Sequence, residues 1–430
     1  MNTTREVVIT GTGLVTPLGM GVEENWKNVQ GMKTGITHVP VDTLPLFMQY
    51  KGRVSGVEID RDIAPGLQRQ MKFLNRGSLL GFAAVREAFL QAGADLSDTE
   101  PGRRGLYIAS GDLTKVDCGF MHEALSDATK GSWQAIDHPT LNESTLYKVN
   151  PYFLLESIMN NAFTSISAFL QCMGPNTSLA SHSPCGAQAF ELAFRSIAEG
   201  QTDVAVAVGC GNWITEVSLY EMRGLGMLSS CNSGIHSYRP FDAERDGFIA
   251  GEGGAALFLE NARRAERRGA KILGKVKGFG NSIALSDDHG LSIPPEVSAR
   301  SMARALERAE SDLGEYAFIC GHGLASAEGD RSELRSVVNV FGSRRPDILL
   351  CGLKPYTGHL GAASDIGEII LGIKAVSQGI VPATLNFVET EREYSGLRIS
   401  GSRQSCQGSY FMTVSYGVGG QSCVSVVQAL

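Results

Sequence analysis

Apolar residues recur at three- and four-residue spacing in four stretches: "SLLGFAAVREAFLQAG" (78–93), "AFELAFRSIAEG" (189–200), "SARSMARALERAE" (298–310) and "EIILGIKAVSQG" (368–379). That period puts the apolar side chains on one stripe, so each stretch predicts a helix packed against a core. Between them run short, nearly continuous apolar segments, "DVAVAVG" (203–209), "AALFLE" (255–260) and "ILLCG" (348–352). Segments of this kind suit strands covered on both faces, and their alternation with helices predicts an α/β protein with buried sheets. Many of the 51 glycines stand where strands end, as in "VITGTGLVTPLG", "VAVGCGNW", "CGHGLAS" and "SYGVGG". Glycine there lets the backbone turn sharply or approach a ligand closely.

The pattern also repeats. "SLASHSPCGAQAFELAFRSIAEGQTDVAVAVG" reads as strand, turn, helix, glycine stop and buried strand, and "LLCGLKPYTGHLGAASDIGEIILGIKAVSQGIVPATL" reads in the same order. Two similar halves are expected, 1–260 and 261–430, meeting near residues 258–275. The charged "ENARRAERRGAKI" there reads as a solvated linker helix.

Composition narrows the classes. With 43% hydrophobic and 19% charged residues in 430, the chain can bury a large core, and a net charge of −7 argues against general nucleic-acid or anionic-membrane binding. The start, "MNTTREVVITGTGLVTPLG", has one Arg and a short apolar run, unlike a signal or transit peptide, and no apolar stretch is long enough to span a membrane. A cytoplasmic protein is expected. The nine Cys include no C-x-x-C pair, and no His stands at ligand spacing, so neither a disulfide framework nor a metal site is expected.

Chemistry concentrates in four turns. "TSLASHSPCGAQAFELAF" puts Ser183 and Cys185 where a strand passes into a helix, a place where the helix N-terminus stabilises negative charge. "ICGHGLASAEGD" puts His322 in a glycine turn, and "GLKPYTGHLGAASDIGE" puts Lys354 and His359 in another. "VSYGVGGQS" supplies a loop able to aim backbone N–H groups. A nucleophile turn, two His and backbone donors together suit acyl transfer with an oxyanion hole.

These segments, with "RPFDAERDGFIAGEGGAALFLE" (239–260), "RRGAKI", "VVITGTGLVTPLG" and "QGIVPATLNF", resemble the β-ketoacyl-acyl-carrier-protein synthases of the type II elongating kind over essentially the whole chain. The resemblance implies the thiolase fold, two α/β halves layered α-β-α-β-α. The family's nucleophile is a Cys in a pattern like T-A-C-x-S-G. Gapless matching back from "RSIAEGQTDVAVAVG" puts Ser183 on that Cys and Cys185 on the motif Ser. Placing Cys185 there instead would remove two residues from the helix, a rotation of about 200° that turns its apolar face outward.

By the same resemblance, His322 and His359 are the catalytic His pair that holds a malonyl thioester carbonyl and promotes loss of CO₂, with Lys354 and Glu368 in support. The N–H groups of Ser183 and Val418 would form the oxyanion hole, with Tyr416 and Val418 at the acyl-pocket gate. Leu324 and Ser326 stand where the family's threonines contact the pantetheine arm, and glycine has moved in the turn after His359, "GHLGAAS". Arg69, Lys72 and Arg76 fall near the positions that dock an acidic acyl carrier protein, whose phosphopantetheine arm carries the substrates. No metal or organic cofactor is implied. A homodimer, or a heterodimer with a related ketosynthase subunit, is expected through the strand beside the nucleophile turn.

A serine changes the mechanism: its hydroxyl needs a base within hydrogen-bond reach, and its oxoester is a poorer electrophile than a thioester. Three readings follow. The chain is a condensing-type acyltransferase working through acyl-Ser183 in fatty-acid or polyketide synthesis, a malonyl-carrier decarboxylase, or a catalytically silent, chain-length-factor-like partner of an active synthase.

Overall fold

The computed structural model describes residues 5–57, 63–110, 119–157, 160–286 and 291–430. Its main sheet is built from β1 (Val7–Thr16), β2 (Arg104–Ser110), β3 (Asn176–Ala180), β4 (Val204–Asn212), β5 (Glu252–Asn261), β6 (Gly274–Ile283), β7 (Tyr316–Gly321), β8 (Leu349–Gly352), β9 (Arg398–Ile399), β10 (Tyr410–Tyr416) and β11 (Gln421–Ala429). Their spatial order is β9-β8-β7-β10-β11-β6-β1-β5-β4-β2-β3.

The order contains one arrangement twice. In the first half β2 runs parallel to β3 and β4, β4 is antiparallel to β5, and β5 is antiparallel to β1. In the second, β7 runs parallel to β8 and β10, β10 is antiparallel to β11, and β11 is antiparallel to β6. The halves join where Val8 and Ile9 of β1 pair with Lys275 and Gly274 of β6.

Five helices complete the layers: α1 (Arg76–Ala92), α2 (Cys185–Ala198), α3 (Ala299–Ala309), α4 (Ala327–Phe341) and α5 (Ala362–Ser377). The central pair is α2 and α5, which touch each other while α5 contacts β4 and β5 on one side and β10 and β11 on the other. The sequence accounts for this position: α5 is buried almost all round from Ala362 to Ile373, as a helix covered by strands of both halves of the sheet must be. On the outer faces α1 packs on β1, β4 and β5, and α3 packs on β6 and β11. Only one stripe of α3 is buried, Ser301, Met302, Ala305, Leu306 and Ala309. This is the layered α-β-α-β-α thiolase arrangement.

Two local expectations change. The apolar "IVPATL" after α5 does not enter the main sheet: only Ile380–Val381 is extended, paired with Gln404–Ser405 in a separate two-stranded ribbon, and β10 takes the expected place. Pro382 has no N–H to give to a central ladder. Nor is the charged linker simply solvated. The short helix Ala262–Arg267 buries Arg264, which pairs with buried Glu260 and with Asp98, and Arg268 also reaches Glu260.

Candidate active site

Ser183 and Pro184 link the turn after β3 to the start of α2, and Ser183 is buried. The two central helices meet here by their N-terminal ends. A Cβ on Gly186 would lie 2.1 Å from the carbonyl oxygen of Ala362, so this contact requires glycine. From the first turns of α5, Asp365 reaches across: its Oδ2 accepts the N–H groups of Gly186 (3.0 Å) and Ala187 (3.3 Å), and its Oδ1 accepts from Ser183 Oγ at 3.4 Å. Cys185, fully buried, donates its thiol to the Ser181 carbonyl at 3.0 Å. Burial, with Asp365 nearby, pushes that thiol far above its ordinary range, so it is a packed group rather than a thiolate.

The second half supplies the imidazoles. His322 follows β7, and Glu333 from α4 fixes its turn by accepting the N–H groups of His322 (2.6 Å) and Gly323 (3.0 Å). Lys354 Nζ donates to the His322 carbonyl and to Glu368 Oε1, both at 2.7 Å, and lies 3.2 Å from His322 Nδ1. An ammonium can only donate, so Nδ1 accepts and the His322 proton sits on Nε2. His359 reaches the same state independently, because its Nδ1 accepts the N–H of Gly361 at 3.1 Å.

The two rings stand edge to face with centroids 5.2 Å apart. Trp213 stacks on His359 at 4.4 Å, Phe248 adds a contact at 5.0 Å, and Tyr416 tilts against His322 at 4.5 Å. His182, the residue before Ser183, packs edge-on against the same Trp213 at 5.4 Å, tying the serine turn to the imidazole pair. Burial first and Lys354 second hold both imidazoles well below the usual histidine range. Both are therefore neutral, each with an Nε2–H to donate. Burial lifts Glu368 to about 7 against the pull of Lys354.

The loop after β10 closes over the serine turn. A Cβ on Gly417 would lie 2.0 Å from the Ser183 carbonyl oxygen. Among the described residues no hydrogen-bond acceptor stands opposite the backbone N–H groups of Ser183 and Val418. Val418 itself is half-buried, and Tyr416 is buried with its hydroxyl unpartnered among the described residues.

The remaining candidates fall elsewhere. Leu324 is a core residue in the cluster that includes Tyr416, and Ser326 caps α4 by accepting the Gly329 N–H at 3.1 Å. Arg69 and Lys72 are exposed on and just after the short helix Pro65–Met71. Arg76 is not free for docking: its guanidinium is forked onto buried Glu252, at 3.1 and 2.9 Å, which braces α1 against the sheet.

Several site residues escaped the motif reading. Asp365 lies inside the quoted "GHLGAASDIGE", where a carboxylate in the first turn of a largely apolar helix is the available signal. The segment "RPFDAERDGF" is a brace for the His322 turn. Its Phe241 N–H donates to Asp330 at 2.6 Å, and its buried Arg245 donates to the carbonyls of Ser326 (3.3 Å) and Ala327 (3.0 Å).

Comparison with known proteins matches residues 4–265 to the family described as beta-ketoacyl synthase, N-terminal domain, and residues 274–388 to beta-ketoacyl synthase, C-terminal domain. Among curated relatives, the 3-oxoacyl-[acyl-carrier-protein] synthase 2 of Vibrio cholerae is 29% identical over 97% of each chain, and that of Staphylococcus aureus strain N315 is 26% identical over 99% of each. A type II PKS ketosynthase solved in complex with its acyl-carrier protein superposes with a TM-score of 0.83 at 25% identity, covering 99% of this chain and 100% of that one.

Proposed function

Because the chain belongs to the beta-ketoacyl synthase family, we propose that it is a β-ketoacyl-acyl-carrier-protein synthase-type acyltransferase that works through acyl-Ser183 in fatty-acid or polyketide synthesis. The observation that carries this reading is the pair of neutral imidazoles, 5.2 Å apart, tied through Trp213 to the serine turn.

Ser183 Oγ attacks the acyl thioester, the N–H groups of Ser183 and Val418 hold the tetrahedral oxyanion, and the carrier thiol leaves. Malonyl carrier then places its thioester carbonyl oxygen on the two Nε2–H donors. The bond to the carboxylate breaks, CO₂ departs, and its electron pair becomes an enolate held by His322 and His359. The enolate carbon attacks acyl-Ser183, and the serine oxygen leaves and takes up a proton, giving a β-ketoacyl chain on the carrier. The substrates arrive on phosphopantetheine, and the scheme uses no metal or organic cofactor. We assign the reaction to the cytoplasm; among the described residues no helix is long and apolar enough to cross a membrane.

A relative solved with its acyl-carrier protein supports a carrier-protein partner, with Arg69 and Lys72 as the cations on this chain's side. β3, a partly exposed edge strand next to the serine turn, is the surface through which a second copy or a related ketosynthase subunit would pair.

A second reading, malonyl-carrier decarboxylation without elongation, is favoured by the self-contained network of Lys354, Glu368 and the imidazoles. Incubation with acyl- and malonyl-carrier protein followed by intact-mass analysis separates the cases. An acyl adduct mapped to Ser183 and lost in Ser183→Ala, with extended product, supports the acyltransferase. Loss of CO₂ without an adduct leaves the decarboxylase, and neither event leaves a silent partner subunit.

A further inference from the structure

One carboxyl group of the site has no part in the scheme above. Asp365 belongs to α5 and is buried, yet it serves the turn of the other half. Its Oδ2 takes the N–H groups of Gly186 and Ala187 at the start of α2, and its Oδ1 lies 3.4 Å from Ser183 Oγ. The carboxylate thus holds the anion position at the end of a 14-residue helix and keeps one oxygen toward the hydroxyl.

A serine attacks a thioester only if a base takes its proton as the new bond forms. The imidazoles are not free for this, because each Nδ1 already accepts from Lys354 or Gly361 and each Nε2 carries a proton. We propose that Asp365 is the general base for Ser183, so that the serine at 183 and the carboxylate at 365 form a matched pair; its role in acyl transfer rests on the acyltransferase reading above.

As Ser183 Oγ bonds to the thioester carbonyl carbon, its proton passes to Asp365 Oδ1. When the C–S bond breaks, the same proton passes to the departing thiolate, leaving acyl-Ser183, a free carrier thiol and an unchanged carboxylate. Lys354 is the cation acting on Asp365, and Glu368, Cys185 and Cys423 are the other titratable groups it influences. Burial raises the Asp365 carboxyl above its usual range, making it a stronger base than an exposed aspartate. The pairing also disfavours the thiolate that the family's cysteine would need. A thiolate at 183 would stand beside this anion, with the helix N–H groups that would stabilise it already taken.

A fluorophosphonate needs only an activated serine, so it probes the base without carrier-bound substrate. Intact mass and peptide mapping of the full chain should place its adduct on Ser183. Formation should slow by about 10²-fold or more in Asp365→Asn, which keeps an oxygen for Gly186 and Ala187 but turns a donor toward Ser183. Equal rates, or no adduct on Ser183 in the unmodified chain, overturn the proposal. Alkylation by iodoacetamide across pH gives a second measurement. The thiol of Ser183→Cys should titrate about 1 unit or more above that of Ser183→Cys/Asp365→Asn, and equal midpoints overturn the pairing. If Asp365→Asn does not fold, a Ser183→Cys thiol titrating at or below about 8.5 does the same. The acyltransferase reading fails separately, when acyl carrier protein leaves no adduct on a chain that the fluorophosphonate labels.

Discussion

The two strand–turn–helix units that meet in the site have one topology and opposite polar logic. The turn between β8 and α5 is buried throughout, and its polar groups close on one another: Lys354 bridges Glu368 and His322, while His359 is fixed by the backbone of Gly361. The turn between β3 and α2 follows a partly exposed edge strand, and among the described residues the side-chain partner of Ser183 comes from the other half, Asp365. In its polar side-chain partners the first turn is thus self-sufficient within its own half, whereas the second depends on the other half. The self-sufficient turn can keep its protonation states whatever stands at position 183, whereas the reactivity of that residue is set from across the interface.

The largest effect should follow from breaking the self-sufficient turn at its centre. Lys354 is buried and touches His322 and Glu368 together. Lys354→Met leaves Glu368 without its counter-charge and is expected to lower unfolding free energy by about 3–5 kcal/mol, measured by urea titration. Lys354→Met/Glu368→Leu should recover much of that loss. A double variant no more stable than the single one would show that the ion pair is not what the surrounding core is built around.

Next in size is the loss of a donor. His322→Ala or His359→Ala should reduce malonyl-carrier decarboxylation by about 10²-fold or more, while Ser183→Ala leaves it largely intact, as followed by CO₂ release. A comparable fall in Ser183→Ala would mean that the two turns act as one unit and that the contrast between them is false.

The same contrast explains what could be read from the chain. The self-sufficient turn is local: Lys354, His359 and Glu368 lie within one quoted segment, and the glycine and apolar pattern around them marks a strand-to-helix turn. Ser183 was found by the register of the helix behind it. Its partner was not, because Asp365 lies 182 residues away and no local pattern says which carboxylate a fold will bring to a turn. Arg76 was misread for the same reason, since Glu252, 176 residues distant, cancels the charge that made it look like a docking residue. The false strand at "IVPATL" has a different cause: apolar content alone outweighed the proline within it.

The smallest expected effect tests whether the imidazoles are neutral, and its sign follows from linkage. His359 titrates near 6.5 when unfolded and well below that in the folded chain, where burial and Lys354 oppose its charge. Between those two values the unfolded state binds the extra proton, so the contribution of His359 to stability is present above about pH 6.5 and is lost as pH falls below it. Other buried carboxyls tilt the total the opposite way, with Glu333 raised to about 8 and Asp330 to about 6, so the histidine contribution has to be isolated by difference. Asparagine at 359 does not titrate. Relative to His359→Asn, the unmodified chain should therefore lose about 1 kcal/mol per pH unit below 6.5, read from urea unfolding at pH 6.5 and 5.5. Decarboxylation by the unmodified chain should show no drop centred on 6.5, its acid limb lying lower. A stability difference that does not change with pH would mean that His359 carries its charge in the fold, and the Nε2–H donors would then belong to an imidazolium that Lys354 must face at close range.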